Sequence, residues 1–180
     1  MEETQTLPDT WEASLKLLLK QLTSKSGASP RITVLGVGNE FRSDDAAGVL
    51  VARILSNREC ARDTEHLLII EAGHAPENTT GELRRFAPDL VLIIDAADMD
   101  ETPGTVRWIP EESIDGMSAS THSLPLSMLA RYLRLEMNCG VALLGIQPGS
   151  NEVGEQISPE IVRAVNETVD TLIGLIHELA

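Results

Sequence analysis

Arg31-Ile32-Thr33-Val34-Leu35-Gly36-Val37-Gly38 is a β-branched apolar run closed by glycine. Such a run reads as a strand buried on both faces, the kind found inside a parallel sheet. Working outward, Asp44 to about Ser56 reads as a helix, and His66-Leu67-Leu68-Ile69-Ile70-Glu71 as a second strand. A loop of small residues, a short helix near Gly81–Phe86 and the strand Leu90-Val91-Leu92-Ile93-Ile94-Asp95 follow. Strands alternating with helices imply crossover units and a largely parallel sheet.

Gly104-Thr105-Val106-Arg107-Trp108-Ile109 differs, because polar and apolar residues alternate along it. That pattern suits a half-exposed edge, where an antiparallel strand is accommodated. Leu126–Glu136 then reads as a helix, Val141–Ile146 as a central strand, and Ser158-Pro159 as the start of a last helix reaching His177, with serine as the cap and proline at the first helical position. The expected fold is a three-layer α/β/α sandwich around a mostly parallel, twisted sheet of about five strands. Residues 30–180 form its single domain. Residues 1–29 read as a helical appendage and linker: Thr10 caps a helix whose Trp11, Leu15, Leu18 and Leu22 share a face, and Ser24–Pro30 ends it. That apolar face either docks on the domain or serves a partner.

The 28 acidic residues against 14 basic ones leave a net charge of −14, which argues against nucleic-acid and membrane-surface partners, since both require a basic patch. No apolar run is long enough to span a bilayer, and Met1-Glu2-Glu3 lacks the basic-then-apolar form of a signal peptide. A cytoplasmic location is expected. Cys60 and Cys139 form no CxxC pair and read as inert thiols.

In an open parallel sheet, ligands bind beyond the carboxyl ends of the strands. Three polar residues stand there. Asp45 follows the glycine turn beside Asp44, although acids at a helix start are also accounted for by the macrodipole. Asp95 ends an apolar strand, where a carboxylate must be hydrogen-bonded, paired or metal-bound, and where it also serves as a loop cap. His122, in Ser120-Thr121-His122-Ser123-Leu124-Pro125, precedes a helix and is either a ligand or a structural histidine. Two carboxylates and an imidazole suit a borderline divalent ion such as nickel. A dinucleotide fingerprint fails at Phe41, where GxGxxG requires glycine, and Ser123 lacks the G-x-S-x-G elbow of a serine nucleophile.

Five blocks in order then carry a likeness: Leu35-Gly36-Val37-Gly38-Asn39 with Asp44-Asp45 and Gly48; Ala75-Pro76-Glu77-Asn78; Ile94-Asp95-Ala96-Ala97-Asp98-Met99; Thr121-His122-Ser123-Leu124-Pro125-Leu126; and Leu144-Gly145-Ile146-Gln147-Pro148. From about Arg31 onward the sequence resembles the maturation proteases of NiFe hydrogenases, with the hydrogenase 3 branch as the nearest likeness. The resemblance implies a metal-dependent, aspartic-type endopeptidase that removes the C-terminal extension of the immature hydrogenase large subunit. It further implies that Asp45, Asp95 and His122 are both the metal ligands and the catalytic set. The nickel arrives on the substrate, so the isolated protein, expected to be a monomer, should hold little metal. Asp44 is implied as a helix-start acid or a partner of the set. Glu71-Ala72-Gly73-His74 departs from the Asp-Gly-Gly often found in relatives, leaving His74 as either a cleft contact or a surface residue. The rival readings are a peptidase carrying its own metal and a non-cleaving chaperone that docks through the Leu15–Leu22 face.

Overall fold

The computed structural model describes residues 10–59, 65–110, 114 and 125–178. Cys60, His122 and Ser123 lie outside the described residues. Five strands, β1 (Ile32–Val37), β2 (Leu67–Gly73), β3 (Leu90–Ala96), β4 (Val106–Pro110) and β5 (Gly140–Ile146), form one sheet in the order β2-β1-β3-β5-β4. β1 runs parallel to β2 and β3, and β3 runs parallel to β5. β4 pairs antiparallel with β5 at the edge, as its alternating pattern implied.

Among the described residues the α-helices are α1 (Trp11–Ser26), α2 (Ala47–Ser56), α3 (Thr80–Phe86), α4 (Leu126–Met137) and α5 (Pro159–His177). Side chains alternate across a strand, so each apolar run feeds two cores. Ile32, Val34, Leu90, Leu92, Ile94, Ala142 and Leu144 face one cluster with residues of α1, α2 and α5. Leu35, Val37, Val91, Ile93, Val141 and Leu143 face the other with Leu83 of α3 and Leu129 and Leu133 of α4. Helices on both faces are why the inner strands contain no solvent-facing positions. The result is the three-layer sandwich with a mostly parallel sheet.

Thr10 caps α1, its hydroxyl accepting from the Ala13 N–H at 3.3 Å. Trp11, Leu15 and Leu19 are buried in the α2/α5 core, with Leu18 and Leu22 packed at its margin. Among the described residues no helix is long and apolar enough to cross a membrane.

Two local differences from the sequence reading matter for the site. Ser43–Ala46 forms a 3-10 turn ahead of α2, so Asp44 and Asp45 precede the α-helix rather than open it. Ser158 does not cap α5 through its side chain; its hydroxyl is turned to Asp44 and donates to that carboxylate at 2.8 Å, a charge-assisted bond.

Candidate active site

The chain leaves β1, crosses to β2 on one side, and returns through β3 on the other side of β1. This reversal is a topological switch point, where a crevice opens beyond the strand ends. Asp45 lies in the segment leaving β1 and Asp95 in β3 just before its last residue, Ala96, so both acids stand at this end of the sheet, near enough for the charge of Asp45 to act on Asp95.

Two glycines bring them there. A Cβ on Gly48 would lie 2.0 Å from the Ile94 carbonyl oxygen and 2.4 Å from that of Val37, so only glycine lets α2 sit directly on the ends of β1 and β3. Gly38 has φ 139, and a Cβ there would stand 1.9 Å from the Asp45 carbonyl oxygen. With that backbone freedom, residues 38–45 fold back on themselves: Asn39 N–H donates to Asp45 O, and Asp45 N–H to Arg42 O, each at 3.0 Å.

The adjacent acids have different surroundings. Asp44 is fully buried. Its Oδ2 accepts from Gly149 N–H (2.8 Å), Ser150 N–H (2.9 Å) and the Ser158 hydroxyl (2.8 Å), and its Oδ1 from Ser158 N–H (2.7 Å). Burial alone would raise its pKa, but these bonds to the ionised form outweigh it and hold the carboxyl below its ordinary value. Asp44 therefore fastens the 149–158 loop, and none of its geometry points to proton transfer.

Asp45 is half-buried. Burial pushes its pKa upward, only partly offset by the Arg42 guanidinium and the Asn39 backbone. Asp95 is 4% exposed and lies within β3, opposite Gly145 of β5, rather than past the strand end. Its carboxyl is pushed up to about 7, first by burial and then by the charge of Asp45, with a hydrogen bond from the Ala96 backbone opposing. Asp45, the more accessible acid, ionises first, and its charge then bears on Asp95. Near neutral pH the crevice thus holds two crowded carboxyl groups, a disposition relieved by a proton or a cation.

Surrounding residues brace this pair. Gln147 is 7% exposed at the end of β5, and its Oε1 accepts from Met99 N–H (2.7 Å) and Glu101 N–H (3.2 Å). Its Nε2 donates to Asp98 Oδ1 (3.3 Å), which secures the loop that follows Asp95. Arg53 of α2 donates to Glu40 at 2.5 and 3.0 Å and to Glu71 at 2.7 and 2.9 Å, joining the loop after β1 to β2. Sequence reasoning gave Gln147 and Arg53 no role in the site and Ser158 only that of a helix cap. Only Gln147 left a signal, as a polar residue directly ending an apolar strand. His74 is exposed after β2. Cys139 is buried, its thiol directed to Leu133 O at 3.6 Å. Among the described residues no group of three His, Cys, Asp or Glu side chains could hold a metal ion; His122 lies outside them.

Residues 49–178 match the family model described as hydrogenase maturation protease. The chain belongs to this family. As a hydrogenase maturation protease family member it is 35% identical over 164 residues to a Methanocaldococcus jannaschii sequence carrying that family name, covering 89% of this chain and 96% of the relative. It is 37% identical over 117 residues to the hydrogenase 3 maturation protease of Escherichia coli, covering 64% of this chain and 71% of that one. The crystal structure of a NiFe hydrogenase maturation protease from Thermococcus kodakarensis superposes with a TM-score of 0.76 at 32% identity, covering 89% of this chain and 99% of that one. The sandwich is therefore the fold of this protease family.

Proposed function

We propose that this family member removes the C-terminal extension of a nickel-loaded NiFe-hydrogenase large-subunit precursor, the nickel on the precursor's own cysteines serving as the recognition element. One observation carries the reading: Asp45 and Asp95 crowd a crevice at the sheet's switch point, with the Asp95 carboxyl pushed up to about 7. Two such acids, offset only in part by the Arg42 guanidinium near Asp45, favour a divalent ion brought from outside. Asp45, Asp95 and the His122 imidazole fill coordination positions that the precursor leaves open, so nickel and scissile peptide arrive together. The ion polarises the scissile carbonyl or a water, and a neighbouring carboxylate takes the proton. Asp44 is spent on the 149–158 loop and does not serve as that base. In this reading the protease acts as a cytoplasmic monomer and holds little metal before substrate arrives.

Mass spectrometry of the large subunit tests it. The nickel-loaded precursor is expected to be shortened and the nickel-free precursor left intact. Asp45→Asn and His122→Ala should each slow cleavage by about 100-fold or more, as loss of a ligand to the reacting centre does. Equal cleavage of the nickel-free precursor would sink substrate-borne recognition. A stoichiometric metal in the purified protein would instead favour a peptidase with its own ion.

A further inference from the structure

Beside Asp45, the turn after β1 holds Phe41 out to solvent. Phe41 is 80% exposed and Val153 is 74% exposed, the two most exposed large apolar side chains among the described residues. Scattered surface apolar residues need no explanation. These two differ in being neighbours on tightly fastened backbone. Phe41 N–H donates to Asn39 Oδ1 at 3.0 Å, and Arg42 N–H to Asn39 O at 3.0 Å. Across the gap, Gly154 N–H donates to Phe41 O at 2.9 Å, bringing Val153 alongside. Arg42 Nε donates to Asn151 O (3.3 Å) and the Ser43 hydroxyl to Gln156 O (2.9 Å). Together with the Asp44 bonds to residues 149, 150 and 158, these hold the two loops as one ridge.

A ridge already ordered gives up little conformational entropy on binding, and its apolar tip gains by leaving water. The exposed acids Glu152 and Glu155 flank Val153, on a chain of net charge −14. Charge complementarity therefore calls for a cationic partner. We infer that Phe41 and Val153 form a docking ridge for an extended segment of the large-subunit precursor, one that presents an apolar side chain beside basic residues next to the scissile bond. The inference rests on the proposed function for the identity of the partner. The ridge sets affinity for the precursor and leaves the chemical step alone.

The test uses the full chain and the nickel-loaded large-subunit precursor, with cleavage followed by mass. Phe41→Ser should raise KM about tenfold with kcat held within about twofold, because the lost contact is made equally in ground and transition states. Phe41→Leu should keep KM within about threefold of the parent, since the ridge requires an apolar surface rather than an aromatic ring. Val153→Ser should raise KM to a smaller extent, and it stands as the second measure of the ridge should the first variant misfold. Glu152→Gln with Glu155→Gln should flatten the salt dependence of KM. Unchanged KM in both serine variants overturns the ridge, and so does a fall in kcat at constant KM. Should the parent chain leave the precursor uncut, the cleavage reading falls by itself. The ridge is then judged by calorimetric affinity for the same precursor: about tenfold weaker binding by Phe41→Ser upholds it, and equal binding overturns it.

Discussion

Asp95→Asn replaces a buried carboxyl by an amide of nearly the same shape, and its effect on stability can be worked from the site. Asp95 is 4% exposed, and its carboxyl moves from an ordinary 3.8 to about 7 on folding. Because the folded value is the higher, the native state binds the proton more tightly than the unfolded chain. Stability is then lost as pH rises through the interval between the two values. Relative to strongly acid solution, this difference costs the fold roughly 2 kcal/mol at about pH 5, where the unfolded chain has released the proton and the folded one keeps it, and roughly 4 kcal/mol at about pH 8, where both are ionised. Asparagine does not titrate, so its stability lacks this slope. Any constant difference in hydrogen bonding shifts both pH values alike. Urea unfolding at the two pH values should therefore show the variant gaining on the parent by roughly 2–3 kcal/mol from about pH 5 to about pH 8. The same variant should be inactive in precursor cleavage. Parallel stability curves for the two proteins across this range would show that Asp95 is not the strained acid described above, and the case for a cation-seeking pair would fall with it.

Asp44 behaves in the opposite sense. Its folded pKa is depressed, so its contribution is present above the unfolded value and is lost as pH falls through the folded one. Asp44→Ala should cost roughly 3 kcal/mol near neutral pH by leaving the donors of Gly149, Ser150 and Ser158 without their acceptor, and should remove part of the parent's acid-unfolding transition below about pH 4, followed by circular dichroism. Gly48→Ala places a Cβ 2.0 Å from the Ile94 carbonyl oxygen, and the expected loss of roughly 3 kcal/mol in urea unfolding comes from backbone that has no room to retreat. A loss under about 0.5 kcal/mol would mean that α2 does not sit on the strand ends as described.

Much of the fold was legible because it follows from local pattern. Strands buried on both faces must be almost wholly apolar, and β1, β3 and β5 are, with Thr33 and Asp95 as the polar exceptions. Alternation along Val106–Ile109 marked the antiparallel edge for the same reason, since β4 keeps Arg107 toward solvent. The strand ends pointed to Asp45 and Asp95 because a charge closing an apolar run demands a partner. Which of two adjacent aspartates stays available was not legible. That is decided by a loop more than a hundred positions away in sequence, whose Gly149, Ser150 and Ser158 take up Asp44 and leave Asp45 to the crevice.

The amino-acid sequence alone thus determined the strands, the parallel sandwich and the candidate acids, because periodicity is a property of short segments. The tertiary structure decided that Asp45 and Asp95 lie near enough for one charge to act on the other, that Asp44 fastens the 149–158 loop, and that Phe41 stands exposed on a bound turn. These depend on the parallel pairing of β1 with β3 at the switch point and on the glycine contact at Gly48, where distant segments meet at distances that no local pattern encodes.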